Sequence, residues 1–173
     1  MPTRLDFSTL SLMDALDLAV LIEVEAYRRY KVFAAQLGHH GPGDAASVFA
    51  SMAENEAKHG QQLEARRKAR FGLTPARVTL DDLFDVEAPE MGAPRRSMSA
   101  LKAFELALSS EQKAQDFYDE ALGHVSDPEI LELFAELRDE EIEHVRLVRE
   151  AIARLPPSAS IELEIDPDES PSL

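Results

Sequence analysis

Residues 49–59, FASMAENEAKH, and residues 134–144, FAELRDEEIEH, read as two copies of one helical segment. Both open on Phe-Ala, and both carry a Glu followed three places later by a His: Glu56 with His59, and Glu141 with His144. Apolar residues recur around them at helical spacing, Val48, Phe49, Met52, Ala53 and Leu63 in the first copy and Ile130, Phe134, Leu137, Val145, Val148 and Ile152 in the second. The ionisable pairs therefore interrupt faces that ought to be buried. Residues three apart on a helix share a face, with Cβ atoms about 5–6 Å apart, so each Glu reaches the same neighbourhood as its His.

Upstream of each copy lies a second repeat. EVEAYRRY at 23–30 and EQKAQDFY at 111–118 share Glu, Ala and Tyr at matching offsets. Glu23 falls within the stripe Leu12, Leu16, Ala19, Val20, Ala26, Tyr27, Tyr30 and Ala34, and Glu111 within Phe104, Ala107, Leu108, Ala114, Tyr118 and Leu122. The register is constant within each pair: 56 to 141 and 59 to 144 both differ by 85, and 23 to 111 and 30 to 118 both differ by 88. The chain is a duplicated helical hairpin.

Local signals set the helix ends. SLMD at 11–14 is a capping-box start for a helix running to Leu37, ahead of GHHGPG. A second helix starts after Gly43 with Asp44 as its cap and ends near Arg70. A third runs from Ser99 to Leu122, closed by Gly123. SDPE at 126–129 places a capping Asp127 and a first-turn Pro128 before a fourth helix that ends near Arg154. Residues 71–96 hold three Pro and two Gly and read as a long connection with one short helix at LDDLFDV, 80–86. A link of that length suits a crossover between parallel helices. Residues 1–155 are thus expected to form one four-helix bundle and residues 156–173 an acidic, flexible tail, in which SIELEI could pair as a short strand.

Composition agrees and excludes several functions. A chain of 173 residues, 45% hydrophobic, can bury about two-thirds of its unfolded surface. Seven Gly, no Trp and abundant Ala, Leu, Glu and Arg favour an all-α fold. A net charge of -15 argues against nucleic acid and anionic membranes, which need clustered Lys and Arg. With no Cys there is no disulfide, thiolate zinc site, iron–sulfur cluster or cysteine nucleophile. The longest apolar run, around ALDLAVLIEV, is broken by Asp17 and Glu23 and is shorter than the roughly 20 residues of a membrane span. A cytoplasmic location is expected.

The chemistry follows from the buried acids. An isolated carboxylate in an apolar interior either protonates or acquires a partner. Four Glu, with no Lys or Arg on their own stripes nearby, call for cations, and two divalent ions with two neutral imidazoles would make the group electroneutral. Carboxylate oxygen with imidazole nitrogen suits iron first, with manganese or zinc as substitutes. The neighbouring acids Glu25, Glu54, Glu140 and Glu143 read as a solvated face; the alternative is that Asn55 or Glu140 hydrogen-bonds the opposite imidazole.

A Glu on each of two helices and a Glu-x-x-His on each of the other two resembles the di-iron carboxylate pattern of ferritin-like bundles. The E-x-x-A-x-x-x-Y signature at Glu23, Ala26, Tyr30 and again at Glu111, Ala114, Tyr118 looks most like the rubrerythrin branch. The resemblance covers residues 11–154. It implies Glu56 and Glu141 as bridging carboxylates, Glu23 and His59 on one metal, Glu111 and His144 on the other, and Tyr30 and Tyr118 as hydrogen-bond donors behind the ligands. It further implies oxidation of ferrous iron, or reduction of peroxide or oxygen, at two iron ions. The alternatives are iron storage or carriage in a ferritin-type assembly, a di-iron oxygenase on an organic substrate, and a metal-free interaction bundle. Three departures are visible. No Cys means no rubredoxin module, so electrons must come from a separate donor or from ferrous iron itself. Ala114 stands where rubrerythrins carry an additional Glu, and Ala57 stands where bacterioferritin carries a haem-ligating Met, so no haem is expected. A homodimer is the expected assembly.

Overall fold

The computed structural model describes residues 5–37, 45–83 and 98–160. Four helices account for most of them: α1 (Leu12–Leu37), α2 (Ala45–Phe71), α3 (Ala100–Leu122) and α4 (Pro128–Arg154). No strand occurs among the described residues. No described helix is long and apolar enough to cross a membrane.

Helix ends lie where local chemistry puts them. The Ser11 hydroxyl accepts from the Asp14 N–H at 3.1 Å while the Asp14 carboxylate accepts from the Ser11 N–H at 3.2 Å, a reciprocal capping box. Asp127 accepts from the N–H groups of Glu129 and Ile130, with Pro128 in the first turn where its missing N–H costs nothing. Ser99 caps α3 through the Lys102 N–H. Gly72 ends α2 at φ +58°, donating to the Lys68 carbonyl at 2.9 Å, a conformation that disfavours any residue with a Cβ. The expected cap Asp44, the turn at 38–43, the second half of LDDLFDV and residues 161–165 of SIELEI lie outside the described residues; Leu80–Leu83 form a 3₁₀ turn.

Packing is concentrated within two hairpins, α1 with α2 and α3 with α4. The core separates into two apolar clusters. One gathers Leu16, Leu18 and Ile22 of α1, Leu63 of α2, Phe117 and Tyr118 of α3 and Ile130 and Phe134 of α4. The other gathers Tyr30 and Phe33, Phe49, Phe104 and Val148 from the same four helices, with Phe49 stacked on Phe104 at 4.4 Å. The N-terminal halves of α2 and α3 share the second cluster, so these helices run parallel, as the long connection between them requires.

Two expectations need adjusting. Tyr27, placed on the buried stripe of α1, is exposed, while Phe33 and Ile22 are buried. α1 packs against all three neighbours, and its buried arc is wider and turned from the assumed stripe. The compact part also extends past 155: Pro157–Ser160 form a 3₁₀ turn with Ala159 buried in the second cluster. At the other end Phe7, on a short 3₁₀ turn ahead of α1, packs edge-on against Phe117 at 5.4 Å.

Candidate metal centre

On every helix the gap between the two apolar clusters is filled by ionisable side chains. Glu23 of α1, Glu56 and His59 of α2, Glu111 of α3, and Glu141 and His144 of α4 converge there, and all but the partly exposed His59 are buried. All six donors expected from sequence therefore meet in one layer.

The contacts around His144 decide how the layer is read. Its Nδ1 lies 3.3 Å from Glu56 Oε1, 3.3 Å from Glu111 Oε2 and 3.6 Å from Glu141 Oε2. Yet His144 Nδ1 makes no hydrogen bond, nor do the buried oxygens Glu56 Oε1, Glu111 Oε1 and Glu23 Oε2. One imidazole N–H can satisfy one acceptor, and here three crowd it; a divalent cation can be shared by all of them. A donor separation of about 3.3 Å is also what two ligands at about 2.1 Å subtend on a single ion. The residues fit a metal. Potential ligand atoms lie within 4.8 Å of one another in three groups: Glu111, Glu141 and His144; Glu56, His59 and His144; and Glu23, His59 and Glu140. Glu56 belongs with both imidazoles, whose rings lie parallel, 5.7 Å apart at 5°.

Electrostatics agree. Burial, reinforced by Glu56, pushes the Glu23 carboxyl up to about 12. Burial also lifts Glu141 well above the usual carboxylate range, against the opposing pull of His144. Burial alone would lower the His144 imidazole, but contacts with Glu111 and Glu141 outweigh it and push the group up to about 12. Without metal the layer must hold protons that it would not carry in water, and a cation pair would replace them.

Two residues were placed differently by sequence reasoning. Glu140, read as part of a solvated face, points its Oε2 to within 3.6 Å of His59 Nδ1. Arg29, absent from the stripe reading, lies partly buried on α1, where it interacts electrostatically with Glu111, Glu25, Glu56 and Glu141; burial pulls its guanidinium below the ordinary value. A cation off the acids' stripes thus reaches them from α1. Five carboxylates, one guanidinium and two divalent ions again make a neutral group. Tyr30 and Tyr118 are fully buried, but neither hydroxyl hydrogen-bonds, so the donations expected toward the ligand carboxylates are not made here; the acids turn toward His144 and one another instead. Burial with the field of Glu141 and Glu23 keeps the Tyr118 phenol protonated.

The rubrerythrin family model matches residues 14–152. The chain belongs to the rubrerythrin family. Membership supports a ferritin-like domain of the di-iron type, and the Glu and His groups described above could hold metal. A solved structure of an uncharacterised conserved protein from Magnetospirillum magnetotacticum MS-1 is similar at 29% identity and TM-score 0.73, over 85% of this chain and 97% of that one. No curated protein matches the sequence. In this rubrerythrin-family chain, a cavity of about 590 Å³ opens beside Met52, Asn55, Phe104 and Leu147, and none of the six convergent residues lines it.

Proposed function

We propose that this chain is a di-iron oxidoreductase that oxidises ferrous iron or reduces peroxide or oxygen, with Glu23, Glu56, His59, Glu111, Glu141 and His144 holding two iron ions and Glu56 and Glu141 bridging them. The supporting observation is the buried His144 Nδ1, crowded by three carboxylate oxygens and hydrogen-bonded to none. Bound iron would supply one-electron redox chemistry and Lewis acidity.

The chain's own residues do the rest. The four Glu would furnish negative charge and oxygen ligands, and His59 and His144 one nitrogen each. Arg29 offsets the surplus negative charge. Tyr30 and Tyr118, buried and without partners, are placed to donate to carboxylates that turn toward metal. Apolar clusters above and below the layer exclude bulk water. Lacking cysteine, the chain takes electrons from a separate donor or from ferrous iron itself. It acts as a cytoplasmic homodimer, without nucleic acid or membrane partners.

The test is to mix anaerobic, ferrous-loaded protein separately with oxygen and with hydrogen peroxide and to follow iron oxidation. Oxidation at least tenfold faster than that of free ferrous iron in the same buffer, with one oxidant clearly preferred, supports the reading. Rates equal to free iron with both oxidants would refute it. Storage in a ferritin-type shell predicts instead a closed multi-subunit cage, which a sedimentation measurement distinguishes from a dimer.

A further inference from the structure

The two imidazoles occupy matching positions in a duplicated hairpin, but their surroundings differ. His144 is enclosed by Glu56, Glu111 and Glu141, its side chain 9% exposed. His59, 24% exposed, faces Glu23 Oε2 at 3.9 Å and Glu140 Oε2 at 3.6 Å. Glu140 has no acidic counterpart in the other half, since the position 85 residues earlier is Asn55. The position after His59 is Gly60, whereas the position after His144 is Val145. On the His59 side a cleft of about 130 Å³ between α2 and α4 is lined by His59, Glu140, Leu63, Leu137 and, at its rim, Arg66 and Glu136.

We propose that Glu140 is a seventh protein ligand, an additional carboxylate for the ion held by Glu23 and His59, and that the cleft makes this position the exchangeable one of the two. The inference rests on the dinuclear reading above and adds an asymmetry to it. Its geometric support is the group Glu23, His59 and Glu140, with potential ligand atoms within 4.8 Å of one another. An acidic cluster alone would say little. Here, however, Glu23 Oε2 and His59 Nδ1 are both buried and without a hydrogen-bond partner, although they face one another and Glu140. A hydrogen bond from the imidazole to Glu140 would have met that need, and none forms. Glu140 is itself only 34% exposed, with its Oε2 3.6 Å from His59 Nδ1.

The test is calorimetric titration of the full-length, metal-free protein with Co²⁺, and with Fe²⁺ under anaerobic conditions, comparing wild type with Glu140→Ala, Glu140→Gln and Glu136→Gln. The wild type should bind two ions. In both Glu140 variants one ion should bind with unchanged affinity and the other roughly 10–100-fold more weakly. Glu136→Gln, which removes the same charge at the cleft rim, should resemble wild type. Glu140→Gln keeps an acceptor for an imidazole N–H but not an anionic ligand, so its agreement with Glu140→Ala separates ligation from hydrogen bonding. Chelator should remove the two wild-type ions in a fast and a slow phase. Two ions bound as tightly in Glu140→Gln as in wild type, or both weakened equally, would overturn the inference while leaving the dinuclear reading intact. A wild type that binds no ion would overturn both.

Discussion

His144 and His59 descend from one repeated motif, yet the fold treats them unequally. The α4 imidazole is enclosed by three carboxylates and only 9% exposed. The α2 imidazole, 24% exposed, borders a cleft that Glu140 also lines. Duplication sets the Glu and His types, and an acid present in one half alone, Glu140 against Asn55, distinguishes the more exposed imidazole. Each prediction below either widens or erases that difference.

The largest effect concerns the metal-free protein. Removing His144 leaves three buried carboxylates without their shared partner, and His144→Ala should cost about 3 kcal/mol in urea unfolding at neutral pH. His59→Ala, at the open position, should cost less than half as much. Equal losses would show that the halves are energetically alike and that crowding around His144 carries no weight.

Next in size is the pH dependence. Glu23 is raised from its ordinary 4.5 to about 12, so the stability it contributes is fully present below pH 4.5 and declines as pH rises toward 12. Glu141 acts in the same direction. His144, raised from 6.5 to about 12, contributes stability present below pH 6.5 and lost as pH rises through 12. Opposing them at acid pH are Asp14, Glu129 and Glu143, held low by arginine partners, whose contributions vanish as pH falls below the ordinary carboxylate value. Thermal melts in chelator should therefore peak near pH 5 and decline through neutrality. Divalent ions displace the same protons, so the rise in Tm on adding Fe²⁺ anaerobically should grow between pH 5 and pH 8. A metal-free Tm that climbs across that interval would contradict the burial argument.

Smallest is Gly60. A Cβ there would meet Glu23 Cβ at 3.6 Å, an ordinary contact, while the helix loses a flexible residue. Gly60→Ala should stabilise by up to about 1 kcal/mol and leave the stoichiometry of metal binding unchanged. Destabilisation would indicate that the His59 half is as tightly packed as the His144 half.

Most of the fold and the six convergent residues were legible because their signals are local or periodic. Ser11 with Asp14, and Asp127 with Pro128, encode helix starts within three residues. Glu23, Glu56, Glu111 and Glu141 stand out as acids inside apolar stripes, and the constant offsets pair them. Arg29 was not legible, because it acts across a helix interface through a long side chain whose reach no helical period records, and Glu140 was read first as part of a solvated face, with contact to the opposite imidazole as the alternative. Tyr27 and Phe33 exchanged roles for a related reason: a helix packed against three neighbours buries a wider arc than a single stripe. Phe7 and Ala159 join the core from short 3₁₀ turns, which leave no periodic signature.

The most direct measurement is the iron content of anaerobically loaded, desalted protein, wild type beside the double variant Glu56→Gln/Glu141→Gln. The account predicts two irons per wild-type chain and essentially none in the variant, whose metal-free Tm should equal or exceed that of wild type because Gln fills the same volume without an ionisable group. Fewer than one iron per wild-type chain, or equal iron in both proteins, would contradict it.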